Sequence, residues 1–132
     1  MSDRITLTIP RERPFHRVAR LVLGGLAVRL NLTLENLEDL QLALDGLLEQ
    51  IEEQEGEVTV DVHVDAGRID VELGPLAPAR LRAELERDPA DGTVGLGRVL
   101  GAVVDDVELI DRRGSQWIRL SKVVSEPAGE VA

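Results

Sequence analysis

Hydrophobic and polar residues alternate at the start of the chain. In "RITLTIP", residues 4–10, Ile5, Leu7 and Ile9 alternate with Thr6 and Thr8, the period-2 pattern of a strand with one buried face, and Pro10 closes it. The period then changes to helical in "PFHRVARLVLGGLAVRLN", where Pro14 suits a first helical turn and Val18, Leu21, Val22, Leu26 and Leu30 recur at helix spacing. Gly24 and Gly25 in this run predict close packing against a neighbour. Thr33 then caps a second helix, with Asn36 where a capping box prefers Glu, and Leu34, Leu37, Leu40, Leu44, Leu47, Leu48 and Ile51 face a core. Running to Gln54, that helix would be about 33 Å long.

"EVTVDVHVDAGRIDVEL" is a hairpin in outline. Val58, Val60, Val62 and Val64 point one way and Thr59, Asp61, His63 and Asp65 the other, before Ala66 and Gly67 turn the chain into Ile69, Val71 and Leu73. A short helix is expected over residues 79–87, a further helix opens near Gly97, and strands follow at 107–111 and 116–123 around a turn at Arg113 and Gly114. Residues 1–124 read as a single domain and 125–132 as a disordered tail. The order β-α-α-β-β-α-α-β-β predicts an α+β two-layer sandwich, a mixed, mostly antiparallel sheet with helices on one face and the other face wet.

Composition narrows the chemistry. The 132 residues are 43% hydrophobic, enough for one core, and contain no cysteine, so disulfides, thiol nucleophiles and cysteine-bearing zinc sites are excluded. No apolar run approaches the roughly 20 residues needed to cross a bilayer, and the N-terminus has no signal-peptide core, so a cytoplasmic protein without membrane contact is expected. A net charge of −10 argues against direct binding to nucleic acid. That charge is uneven: residues 1–31 carry six arginines against Asp3 and Glu12, whereas residues 32–72 carry thirteen acids against Arg68. The acidic block is either a solvated surface or a docking face for a basic protein, with Glu38, Glu49 and Glu52 as representatives. His16 and His63 have no ligand spacing, so no metal site is expected. Trp117 falls on the face opposite Ile118 and Leu120, where it either meets a partner or covers the sheet.

One residue breaks the pattern. Gly46 lies inside "DLQLALDGLLEQ", where glycine costs about 1 kcal/mol relative to alanine and no cap or kink is called for. Four segments in this order resemble the GHKL ATPase superfamily, specifically its bacterial anti-sigma-factor serine kinases with the histidine-kinase-like ATPase fold. In that family, D-L-x-L-A precedes E-x-x-x-N, whose glutamate is the general base and whose asparagine holds magnesium. Asp39, Leu40, Leu42 and Ala43 match the first half, and the register puts Gly46 at the glutamate and Gln50 at the asparagine. "ELGPL" resembles the family's D-x-G-x-G, with Glu72 for the adenine-binding aspartate, Gly74 retained and Leu76 at the second glycine. Gly95 and Gly97 resemble its phosphate-side G-x-G, and Ser115 stands for a threonine in its closing turn.

Each of these residues has a plainer alternative. Gly95 and Gly97 either offer N–H groups to phosphate at a helix N-terminus or form a loop-to-helix turn. Gln50 either offers an amide oxygen to magnesium, displaced by its extra methylene, or is a polar residue late in a helix. Asp45 and Glu49 flank the family positions, but a turn of about 100° per residue aims them elsewhere. The resemblance implies a degenerate nucleotide site at Gln50, Glu72, Gly74, Gly95, Gly97 and Ser115, with no catalytic base. No cofactor is expected, though weak ATP and magnesium binding stays open. The expected role is binding a protein partner, a sigma factor or its anti-sigma antagonist, with kinase chemistry lost. The alternatives are an active ATP-dependent serine-protein kinase and a non-enzymatic dimerisation module, and a homodimer stays open in every case.

Overall fold

In a computed structural model of the chain, which describes residues 2–30, 32–51, 56–65, 67–87 and 95–124, the first alternating segment forms β1 (Ser2–Pro10). A short 3₁₀ turn over Arg13–Phe15, with Pro14 in it, leads into α1 (His16–Leu30). The second helix is α2 (Leu34–Glu49), and its N-cap is the expected one: Thr33 accepts a hydrogen bond from the Asn36 amide at 3.1 Å. It is shorter than expected, ending with Gln50 as C-cap. Gln54, like Glu52, lies outside the described residues.

The hairpin follows as β2 (Glu57–Asp65) and β3 (Arg68–Leu76), with Gly67 at φ 81° in the turn. Two helices, α3 (Pro78–Glu86) and α4 (Leu96–Val103), precede a second hairpin of β4 (Asp106–Arg112) and β5 (Ser115–Val123). Arg113 and Gly114, both at positive φ, make its turn. The five strands lie in the order β1-β2-β3-β5-β4, and every observed pairing is antiparallel. The expected tail at 125–132 lies outside the described residues.

One face of the sheet meets the helices. Val58, Val60, Val62, Ile69, Val71, Leu73, Ile118 and Leu120 from the strands are buried with Leu40, Ala43, Leu44, Leu47 and Leu48 of α2 and Leu100 of α4. Among the helices, α2 packs against both α1 and α4, so it is the central helix of its layer. One tie joins both layers: the Lys122 ammonium on β5 donates to the Val103 carbonyl at the end of α4 at 2.7 Å and to Asp39 Oδ2 of α2 at 3.2 Å. Asp39 thus has a structural task besides its place in the helix pattern.

The opposite face carries the polar residues that the alternation assigned to it. Asp61, only 5% exposed, accepts from Arg4 Nε at 3.0 Å and the Thr6 hydroxyl at 3.3 Å, and lies 3.2 Å from Arg112 Nη2. The Arg4 hydrogen bond, with the charges of Arg4 and Arg112 and the Thr6 hydroxyl, outweighs burial and holds the Asp61 carboxyl below its ordinary range. Trp117 also belongs to this face, but it is buried, 9% exposed, with the Arg112 guanidinium 4.2 Å from its ring centroid. It covers the sheet and leaves no exposed ring for a partner.

Candidate functional site

The central position of α2 creates two depressions in the helix layer. On one side, toward α4, lies a cleft of about 320 Å³ lined by Leu42, Asp45, Gly46, Glu49, Gln50, Leu96 and Val99. On the other, α1 and α2 border a wider groove of about 810 Å³. Asp45 and Glu49 line both, so they form the ridge between them. Asp45 is drawn toward the α1 side by Arg20, whose Nη1 is 3.3 Å from Oδ2.

The cleft brings together Gly46, Gln50 and the start of α4, where Gly95 is the N-cap and Gly97 lies in the first turn. It does not gather the rest. Glu72 alternates with the buried Val71 and Leu73, so it points to the far face of the sheet. There its carboxylate lies 3.4 Å from Arg112 Nη1 and 3.3 Å from Arg119 Nε. Gly74 is on that far face too. Ser115 starts β5 opposite Arg112, at the end of the hairpin. Leu76 is buried in the core and is not part of the cleft lining.

The glycines have partners of their own. A Cβ built on Gly46 would stand 3.0 Å from Leu96 Cδ1, so the Leu96 side chain takes the space beside that turn of α2. A Cβ on Gly97 would run into the Leu85 carbonyl group, whose carbon is 3.0 Å away, because the end of α3 lies directly on the first turn of α4. At Gly74 the obstacle is the Trp117 indole, with Cγ at 2.6 Å. Neither Gly95 nor Gly97 has positive φ; Gly95 is extended at φ −70°. Close approach of the protein's own groups is therefore the structural reason for glycine at 74 and 97, whereas at 46 the neighbour is only the tip of a side chain.

At position 46 there is no base, and among the described residues the cleft lining has two carboxylates and no cation. No cluster of three or more metal-ligating side chains occurs among the described residues. What the sequence pattern could not show is which groups cover the glycines, because Leu85, Leu96 and Trp117 reach them only through tertiary packing.

In sequence the chain is homologous to serine-protein kinases named RsbW, and its α+β fold matches the RsbW-like ATPase fold. The homology is weak but consistent. Among curated proteins, the serine-protein kinase RsbW of Listeria innocua is 30% identical over 79 residues, covering 55% of this chain and 50% of the relative. The serine-protein kinase RsbW of Listeria monocytogenes is 29% identical over the same length and shares. The chain thus spans about half the length of the curated relatives it matches. Among solved structures, that of the RsbU and RsbW domains of Rv1364c from Mycobacterium tuberculosis superposes with a TM-score of 0.69 at 14% identity, covering 95% of this chain and 33% of that one. No family model matches the chain.

Proposed function

We propose that this chain is a regulatory binding protein of a partner-switching system, engaging a sigma factor or the antagonist that competes for it, and that it works without phosphoryl transfer. The observation that carries this reading is the make-up of the cleft beside Gly46: its lining among the described residues offers Asp45 and Glu49 and neither a base at position 46 nor a cation for a phosphate chain. What supports a protein ligand is the homology to RsbW chains together with the acidic outer surface of α2, where Glu35, Glu38 and Glu49 are exposed. A partner with a basic surface would be steered to it.

The relatives' names favour a second reading, an active serine-protein kinase. Calorimetry with Mg-ATP, followed by radiolabel transfer to candidate antagonist proteins, separates the two. The expected result is no transfer and at most weak binding; micromolar binding with transfer to serine would establish the kinase instead. Restoring Gly46→Glu with Gln50→Asn is expected to give no activity, because Leu96 still lines the space beside position 46 and the described cleft lining still has no cation for the phosphates.

A further inference from the structure

The cleft between α2 and α4 has two kinds of wall. Leu42 on α2, with Leu96 and Val99 on α4, gives it an apolar side, and Leu42 is 52% exposed. Asp45 and Glu49, one helical turn apart on the same face of α2, set two carboxylates along its rim. Gly46 lies between them without a side chain, so the space beside that turn stays open as far as the Leu96 methyl.

This end of α2 is electrostatically one-sided. The C-terminus of a helix carries the negative end of its dipole and favours cations, yet the last turn of α2 has Glu49 and no basic residue. Asp45 meets Arg20 at 3.3 Å on the α1 side, and Glu49, which is exposed, has no ion pair among the described residues. The rest of the lining adds the Gln50 amide and no cation among those residues.

Both walls select the same occupant. A metal ion would find no cluster of three or more ligating side chains among the described residues, and the apolar wall offers it nothing. A purely apolar side chain would cover Glu49 without giving it a partner. An arginine satisfies both sides: its methylene stem lies on Leu42, Leu96 and Val99, while its planar guanidinium has enough donors to bridge two carboxylates. A volume of about 320 Å³ holds one such side chain and the edge of an apolar neighbour.

We propose that this cleft receives an arginine side chain of the protein partner, which anchors the interface between α2 and α4. Glu35 and Glu38, exposed farther along α2, steer the basic segment toward it. The inference rests on the reading of this chain as a binding protein and adds where, and by which side chain, the partner is held.

Amide NMR shifts of the full chain, titrated with the peptide acetyl-Leu-Arg-Leu-amide and separately with Mg-ATP, test it. The peptide is expected to bind saturably at millimolar concentration, with the largest shifts at Leu42, Gly46, Glu49, Leu96 and Val99. Replacing its arginine by citrulline, which keeps the shape and removes the charge, should weaken binding by about tenfold. Glu49→Gln and Leu42→Asn, both at exposed positions, should each weaken the arginine peptide about threefold, whereas Glu35→Gln outside the cleft should not. Absence of a saturable shift would overturn the proposal, as would equal binding of the citrulline peptide or shifts that spread over α2 and ignore Glu49→Gln. If Mg-ATP is silent in any of those cases, the anchor alone fails and the binding-protein reading stands. Mg-ATP that shifts the cleft residues and passes its phosphate to a serine overturns both.

Discussion

At the scale of single residues, what a glycine faces decides how it responds to substitution. At Gly97 the obstacle is backbone, the Leu85 carbonyl, which cannot rotate away. Gly97→Ala must separate α3 from α4 and is expected to destabilise by about 1–3 kcal/mol, as overpacking does. Gly46 faces only the methyl tip of half-buried Leu96, at 3.0 Å from the added Cβ. That tip can shift by a few tenths of an ångström, so Gly46→Ala is expected to keep most of the helix-propensity gain, up to about 1 kcal/mol. Urea titration of both variants checks the contrast, which should be one of sign. A loss at Gly46→Ala comparable to that at Gly97→Ala would mean that Leu96 is held as rigidly as backbone.

The elements themselves were largely legible in the sequence, because period and turn chemistry are local. Thr33, Gly67 and the Arg113-Gly114 pair mark their boundaries through caps and positive φ, and the hairpin's two faces follow from strict alternation. Contacts between distant segments were not legible. Glu72 occupies a motif position in the linear order, yet strand parity turns it to the far face. Asp39 was legible as part of a helix pattern, but its partner Lys122 lies 83 residues away. That tie is testable: Lys122 is 11% exposed on its side chain, so Lys122→Ala leaves the half-buried Asp39 carboxylate and the Val103 carbonyl without their donor. A cost of about 1–3 kcal/mol is expected. A double-mutant cycle with Asp39→Asn should show coupling of at least about 0.5 kcal/mol, the lower bound for residues in contact. Additive losses would mean that Lys122 acts through Val103 alone.

For the whole molecule, the polar sheet face holds strands together by charge where the helix face does so by apolar burial. Arg4 of β1, Asp61 of β2, Glu72 of β3, Arg119 of β5 and Arg112 of β4 form a chain of ion pairs across all five strands. Asp61 is its most buried carboxylate, and its pKa is lowered, with the Arg4 hydrogen bond as the largest cause. A folded-state pKa below the unfolded value means that the unfolded chain binds the proton first. The stabilisation is therefore complete above the unfolded value, near 3.8, and is lost as pH falls through the lower folded value. Asp61→Asn is accordingly expected to be less stable than the wild type at neutral pH, with a gap that narrows steadily on acidification below pH 4. Denaturant titrations at a series of pH values, at low and at 1 M salt, would measure it. The exposed Arg4 side of the network predicts that salt shrinks the neutral-pH gap without abolishing it, since Arg112 is shielded within the sheet face. A gap that stayed constant down to the acid limit of folding would assign the role of Asp61 to shape and hydrogen bonding, not to its charge.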